Sequence, residues 1–146
     1  MQNENTVFFM WKYYALLSAF FAALTAILAK VGVRGISGNV ATAIRTFVVL
    51  LLAWGIVFFS GQMKDVRELS KTNLLFLVFS GIATGLSWIF YFKALETGDV
   101  SKVAPVDKLS VVFVMLLSFL FLNEPFDLKT IVGGALIVGG TLVLLL

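Results

Sequence analysis

Apolar residues fill this chain in five long blocks, parted by short polar or glycine-bearing breaks. About 30 Å of hydrocarbon, crossed at about 1.5 Å per residue, takes about 20 mostly apolar residues, and each block supplies them. The pattern predicts spanning helices over about 13–33, 38–59, 73–92, 103–122 and 127–146, an all-α bundle of five transmembrane helices. The breaks carry turn-forming residues: Gly32, Gly35 and Gly38, then the polar stretch Gln62–Thr72, then Gly98-Asp99, then Asn123-Glu124-Pro125. No internal repeat is visible, so residues 1–146 read as one transmembrane domain. Met1–Thr6 lacks a basic stretch and no small-residue cleavage site follows, so the first block reads as a retained span.

The fourth block fails a length test. Its clean apolar run, Leu109–Leu122, is 14 residues, or about 21 Å of helix, too short to cross. The helix must begin upstream, near Val103, which draws Pro105, Asp107 and Lys108 into the membrane or its edge. Pro105 then marks the bend or the start of the helix. In the second case Asp107 stands third in the helix, where a carboxylate meets free amides and the positive helix end.

Composition sharpens the picture. Of 146 residues, 60% are hydrophobic and 13% charged, against about 45–50% and about 25% in soluble domains. Such an excess cannot be hidden inside a small water-soluble core, so it faces lipid, and the bilayer is the first partner. With Cys 0 and His 0, thiol chemistry, the usual zinc sites and imidazole bases are excluded. A net charge of +3 gives no footing for nucleic acid. HExxH, GxSxG, Walker-type loops and an aspartate pair for intramembrane proteolysis are all missing from the sequence, so the chain is read as no enzyme, and no cofactor or metal is called for.

Because successive spans alternate in direction, the end of the first, the start of the second, the end of the third and the start of the fourth share one side of the membrane, here face X. Lys30, Arg45, Lys93, Glu96, Asp107 and Lys108 all belong to those ends. Arg45 is about 10 Å inside the boundary by helical rise, and Asp107 and Lys108 about 6–8 Å. Charges at such depth must pair, snorkel or line a wet cavity. Lys30 and Lys93 are within a turn of their helix ends, where snorkelling is the plainer reading, and Lys108 is open to both. Arg45 keeps its charge in any setting and is the strongest cavity-lining candidate. An Arg45–Asp107 pair is the natural expectation. Without histidine, a proton carrier would have to be Asp107, Glu96 or Glu124, the last of which also suits a turn before Pro125.

Other polar positions have ordinary readings. Ser18, Thr25, Thr46, Ser80, Thr84, Ser87, Ser110 and Ser118 can bond their own helix or a neighbour. Gly81 and Gly85 make a GxxxG spacing, and Gly133, Gly134 and Gly139 a small-residue face with Ala135, so these glycines are expected to pack helices. Trp11, Tyr13, Tyr14, Trp88 and Tyr91 fit aromatic belts.

Ala29-Lys30 through Arg45, then Tyr91-Phe92-Lys93-Ala94-Leu95, Pro105, Leu122-Asn123-Glu124 and the Gly133-Gly134 helix together resemble the EamA domain of the drug/metabolite transporter superfamily. The resemblance covers nearly the whole chain. Asn123 departs from the glycine more usual before the glutamate. Many members carry two such domains as inverted repeats, so this chain resembles a single-domain, five-helix member. That implies a permease or exporter for small metabolites, amino acids or amphipathic compounds, working by alternating access in the plasma membrane of a bacterium or archaeon. A lone repeat must draw its second half from another chain, so a homodimer, antiparallel if the chain inserts both ways, or a related membrane subunit is expected.

Orientation follows loop cations. Five (Lys12, Lys64, Arg67, Lys71, Lys129) fall on the N-terminal side and six (Lys30, Arg34, Arg45, Lys93, Lys102, Lys108) on face X, which permits both insertions. Setting aside Lys30, Arg45, Lys93 and Lys108 as site residues leaves five against two and a cytoplasmic N-terminus. In this reading Arg45, Lys30, Lys93 and Lys108 give a cavity on face X a positive field with Asp107 as counter-ion, suited to a zwitterion or organic anion. The rival is a non-transporting membrane subunit that assembles with a partner transporter. A channel would need a filter loop or ring motif that the sequence lacks.

Overall fold

The computed structural model describes residues 4–125 and 127–146, with side chains from Met10 onward. Met1–Asn3, part of the stretch read for a signal peptide, lie outside the described residues. Helices α1 (Glu4–Gly32), α2 (Gly38–Phe59), α3 (Met63–Arg67), α4 (Lys71–Thr97), α5 (Val100–Asp107), α6 (Ser110–Leu122) and α7 (Leu128–Leu145) follow one another, and no strand occurs among the described residues. Five segments are long and apolar enough to cross a membrane: Met10–Gly32, Gly38–Phe59, Lys71–Thr97, Val100–Leu122 and Leu128–Leu145.

The chain sets most of these boundaries locally. The Ser37 hydroxyl accepts from Val40 N–H and the Ser70 hydroxyl from Asn73 N–H, closing the N-termini of α2 and α4. Asp127 accepts from both the amide (2.9 Å) and the hydroxyl (2.6 Å) of Thr130 at the start of α7. Asn123, at φ 53°, ends α6 in the left-handed conformation that asparagine tolerates best after glycine. The polar stretch after α2 holds α3, a short helix with no apolar run to predict it.

Three spans depart from the sequence reading, the first because α1 already begins at Glu4. The third continues past Phe92 to Thr97, because Lys93 and Glu96 ride on a helix whose last turn is packed against α1 and α2. The fourth begins at Val100 behind Asp99, so Pro105 is the sixth residue of α5, and neither a start at Val103 nor one at Pro105 holds. Pro105 precedes a joint. Past it the bonding tightens to i→i−3, with Leu109 N–H on Val106 (3.0 Å), Val111 on Lys108 (3.0 Å) and Val112 on Leu109 (3.0 Å). A proline lacks its own donor and crowds the preceding turn, and such tightened turns mark a change of helix direction.

Helix α4 is the hub, with α2, α1 and α5 packed on it, while α7 lies along α5 and α6. The buried apolar core is Ala29, Val33, Ala41, Phe92 and Leu95, edged by Tyr91, Val100 and Val103, and every one of these residues lies at the face X end. Gly38 makes the tightest approach: a Cβ there would stand 3.0 Å from the Phe92 carbonyl carbon and 3.1 Å from Lys93 N. Toward the other end large apolar side chains stand exposed, among them Phe58, Phe59 and Phe76 at 69–89%.

The expected packing glycines are corrected in part. Among the described residues nothing stands within 4 Å of where a Cβ would be at Gly81, Gly85, Gly133 and Gly139, so no close helix contact is seen at them there. Gly134 alone of that set meets a neighbour, the Met115 sulfur, at 3.5 Å.

Candidate functional site

Arg45 stands seven residues into α2, about 10 Å along its axis. Its guanidinium carbon lies 4.1 Å from the ring centre of Trp88 and 5.6 Å from that of Phe92, both on α4. Residues 88 and 92 are one turn apart and so share a helix face. Stacking of this kind contributes about 0.5–2 kcal/mol, more as water is excluded. Arg45 has no hydrogen-bond or ion-pair partner among the described residues. Arg45 borders an open groove of about 350 Å³ between α1 and α2, lined also by Thr25, Leu28, Ala29, Gly32, Ile36, Ala41, Ile44 and Phe92.

The expected Arg45–Asp107 pair is not formed. Asp107 is bonded to its neighbour Lys108, Nζ to Oδ2 3.3 Å. It lines a second groove of about 360 Å³ between α4 and α5, with Ser87, Phe90, Tyr91 and Lys102. The physical reason is the hub. Arg45 comes from α2 and Asp107 from α5, and α4 stands between them with Phe92 turned to the first and Tyr91 to the second. Tyr91 lies in the electrostatic field of both.

Lys30 is taken up elsewhere. Its ammonium donates to the carbonyls of Leu95 (2.6 Å) and Gly98 (2.8 Å), the otherwise unpaired acceptors at the negative end of α4. Glu96 answers from the same turn, its carboxylate accepting the Gly38 N–H at the positive end of α2. These three bonds tie α1 and α2 to α4, and neither side chain lines either of the two grooves. Lys93 and Lys108 are exposed and line neither groove. Glu124 borders a third groove of about 440 Å³ with Ser110, Ser118 and Thr130, at the opposite end of the molecule.

Of the basic cluster expected on face X, then, Arg45 lines the first of these grooves, and Asp107 lines the second. Sequence reasoning assigned Trp88 to an interfacial belt and treated Gly38 as punctuation. The one-turn spacing of Trp88 and Phe92 was the available signal for the first; for the second there was none, because a close approach between helices leaves no mark on local sequence.

Of the polar side chains expected to back-bond, three do so: Thr46 onto Thr42 carbonyl (2.8 Å), Thr84 onto Ser80 (2.9 Å) and Ser118 onto Met115 (3.1 Å); Thr42 and Ser60, not expected to, bond Gly38 and Ile56. Thr141, buried in α7, bonds Ile137 (2.8 Å) and reaches the Pro105 carbonyl (3.4 Å) just before the joint in the fourth span.

Comparison with known proteins points one way. The model of the EamA-like transporter family matches residues 9–146. A Sinorhizobium protein named as an uncharacterized transporter in the cobO 3' region is 49% identical over 134 residues, covering 92% of this chain and 95% of that protein. No solved structure matches the chain.

Proposed function

The chain belongs to the EamA-like transporter family, and from that membership we propose that it is a secondary transporter that moves small metabolites, amino acids or amphipathic compounds by alternating access, as a dimer. It has five helices fit to span and is an integral membrane protein with a transport role. The finer reading places it in the plasma membrane of a bacterium or archaeon, with substrate received in the Arg45 groove. The observation that carries this is an arginine about 10 Å inside a span, bordering a groove and lacking a carboxylate partner. A fixed charge in that position is costly unless something binds it.

Alternating access calls for two halves rocking about a central site. One half is present here, with its core near face X, and a second copy supplies the other. A lone half also agrees with the rival reading, a subunit that completes another transporter.

Proteoliposomes loaded with an isotope-labelled extract of small metabolites, with loss from the lumen followed by mass spectrometry, decide between them. Protein-dependent efflux of particular compounds, reduced at least about tenfold by Arg45→Gln with the fold retained, is expected if this half-buried charge holds the substrate. If the reconstituted chain moves nothing, the transporter reading gives way to the subunit.

A further inference from the structure

Resting on the transporter reading, we propose that the Arg45 groove takes an amphipathic monocarboxylate, and that Trp88 is the positioning residue that presents the arginine to it. The charge balance of the groove comes first. Among its nine lining residues Arg45 is the one charged side chain and Thr25 supplies the one side-chain oxygen. The acids that could have offset it are elsewhere: Asp107 is in the other groove beside Lys108, and Glu96 is on the Gly38 amide. An ammonium group entering here would meet a like charge and find no carboxylate. Zwitterions and cations are therefore disfavoured, and a single anionic head is favoured.

The shape of the guanidinium narrows the head further. Its five donors lie in a plane and match two carboxylate oxygens side by side. The guanidinium carbon lies over the Trp88 ring at 4.1 Å and over the Phe92 ring at 5.6 Å, close enough for the planar group to stack on Trp88. Stacking against a ring leaves the rim of the fork, where the N–H groups are, as the exposed part. Trp88 itself does not line the groove, so it acts through Arg45. The rest of the lining, Leu28, Ala29, Ile36, Ala41 and Ile44, is aliphatic and asks for a hydrocarbon body. About 350 Å³ is room for a small ligand. An anionic lipid headgroup on its acyl chain shares this chemistry, and the proposal is for the free carboxylate.

The test uses the full chain in phosphatidylcholine nanodiscs and three probes with one ring: cyclohexanecarboxylate, cyclohexylmethylamine and 1-aminocyclohexanecarboxylate. By isothermal titration the carboxylate is expected to bind at least about tenfold more tightly than the other two, the scale of one charge-assisted bidentate contact. Arg45→Gln is expected to abolish that preference, and Arg45→Lys, which keeps the charge and loses the fork, to recover part of it. Trp88→Leu should lower carboxylate affinity about fivefold without a matching fall in thermal midpoint, and Trp88→Phe should restore it, since either ring can stack.

Equal binding of the three probes overturns the proposal, and so does a carboxylate preference that survives Arg45→Gln. If Arg45→Gln does not fold, the Arg45→Lys and Trp88 pairs still decide it. Binding in phosphatidylglycerol nanodiscs should be unchanged; a tenfold block there would give the groove to the lipid and overturn the assignment to a free carboxylate. Arg45-dependent binding without flux would sink the transporter reading and leave this site standing. Flux of the amine in preference to the carboxylate would do the reverse.

Discussion

The two ends of this molecule are built on different terms. At face X, three helices meet through Leu95, which has no exposed surface, and Phe92, at 2%, with Lys30 and Glu96 binding helix ends across the gap. Toward the opposite end the spans are as apolar, but large side chains among the described residues stand exposed, Phe59 at 89%. Hydrophobicity is the same at both ends, so it cannot be what gathers one and not the other. In lipid it offers no drive for helices to associate, and close packing with a few buried polar bonds must do so. Face X has both: a glycine at the α2–α4 contact, and a lysine and a glutamate paired with backbone rather than with each other.

The comparison can be broken first at its centre. Leu95→Ala leaves a void in the one tightly packed region and should cost about 2–3 kcal/mol, the low end for buried leucine because transfer to lipid is nearly neutral. Leu51→Ala, at a position 58% exposed, should shift the unfolding midpoint in detergent hardly at all. Equal losses would mean that the far end is packed too. Next comes Gly38→Val, which forces side-chain atoms onto the Phe92 and Lys93 backbone and should cost about 1–3 kcal/mol by overpacking. Its counterpart Gly81→Ala meets open space and should be neutral or, through helix propensity, stabilising by up to about 1 kcal/mol. A destabilised Gly81→Ala in a purified dimer would reveal that this face packs against the second copy.

The smallest effect belongs to the far end. Two bonds from Thr130, first from its hydroxyl and then from its amide, hold the Asp127 carboxyl below its usual range. A carboxyl depressed in the folded state stabilises it above its unfolded pKa of about 3.9 and loses that contribution as pH falls further. A thermal midpoint flat from about pH 5 to 8, with a small acid-side decline below about pH 4 that Asp127→Asn removes, is the expected profile. A decline that Asp127→Asn leaves unchanged would assign the acid sensitivity elsewhere.

How far the sequence carried depends on whether a property runs along the chain or across it. Span number and direction are properties of hydropathy along the chain, and all five were legible, as was the trouble in the fourth, from its 14-residue apolar run. The depth of Arg45 was legible by counting residues. Its surroundings were not, because which helix stands beside α2 is fixed by the Gly38 contact, and the intervening α4 separates Arg45 from Asp107. Lys30 was readable as a charge near a helix end, but its partners are carbonyls 65 and 68 residues away. The Asp107–Lys108 bond, by contrast, joins neighbours in sequence, and the simplest reading of an acid followed by a base would have found it.

The bonds at face X also bear on the order in which the molecule can be made. Synthesis runs from the N-terminus, so α1 and α2 enter the bilayer while Leu95, Glu96 and Gly98 are still to be added. Until then Lys30 has no carbonyl to bond and Gly38 no carboxylate. Both helices must therefore meet lipid on every side, Arg45 included, and Lys30 must wait near the headgroups until α4 arrives to draw it in. The hairpin of α6 and α7 has no such delay, because its partners are translated one after the other.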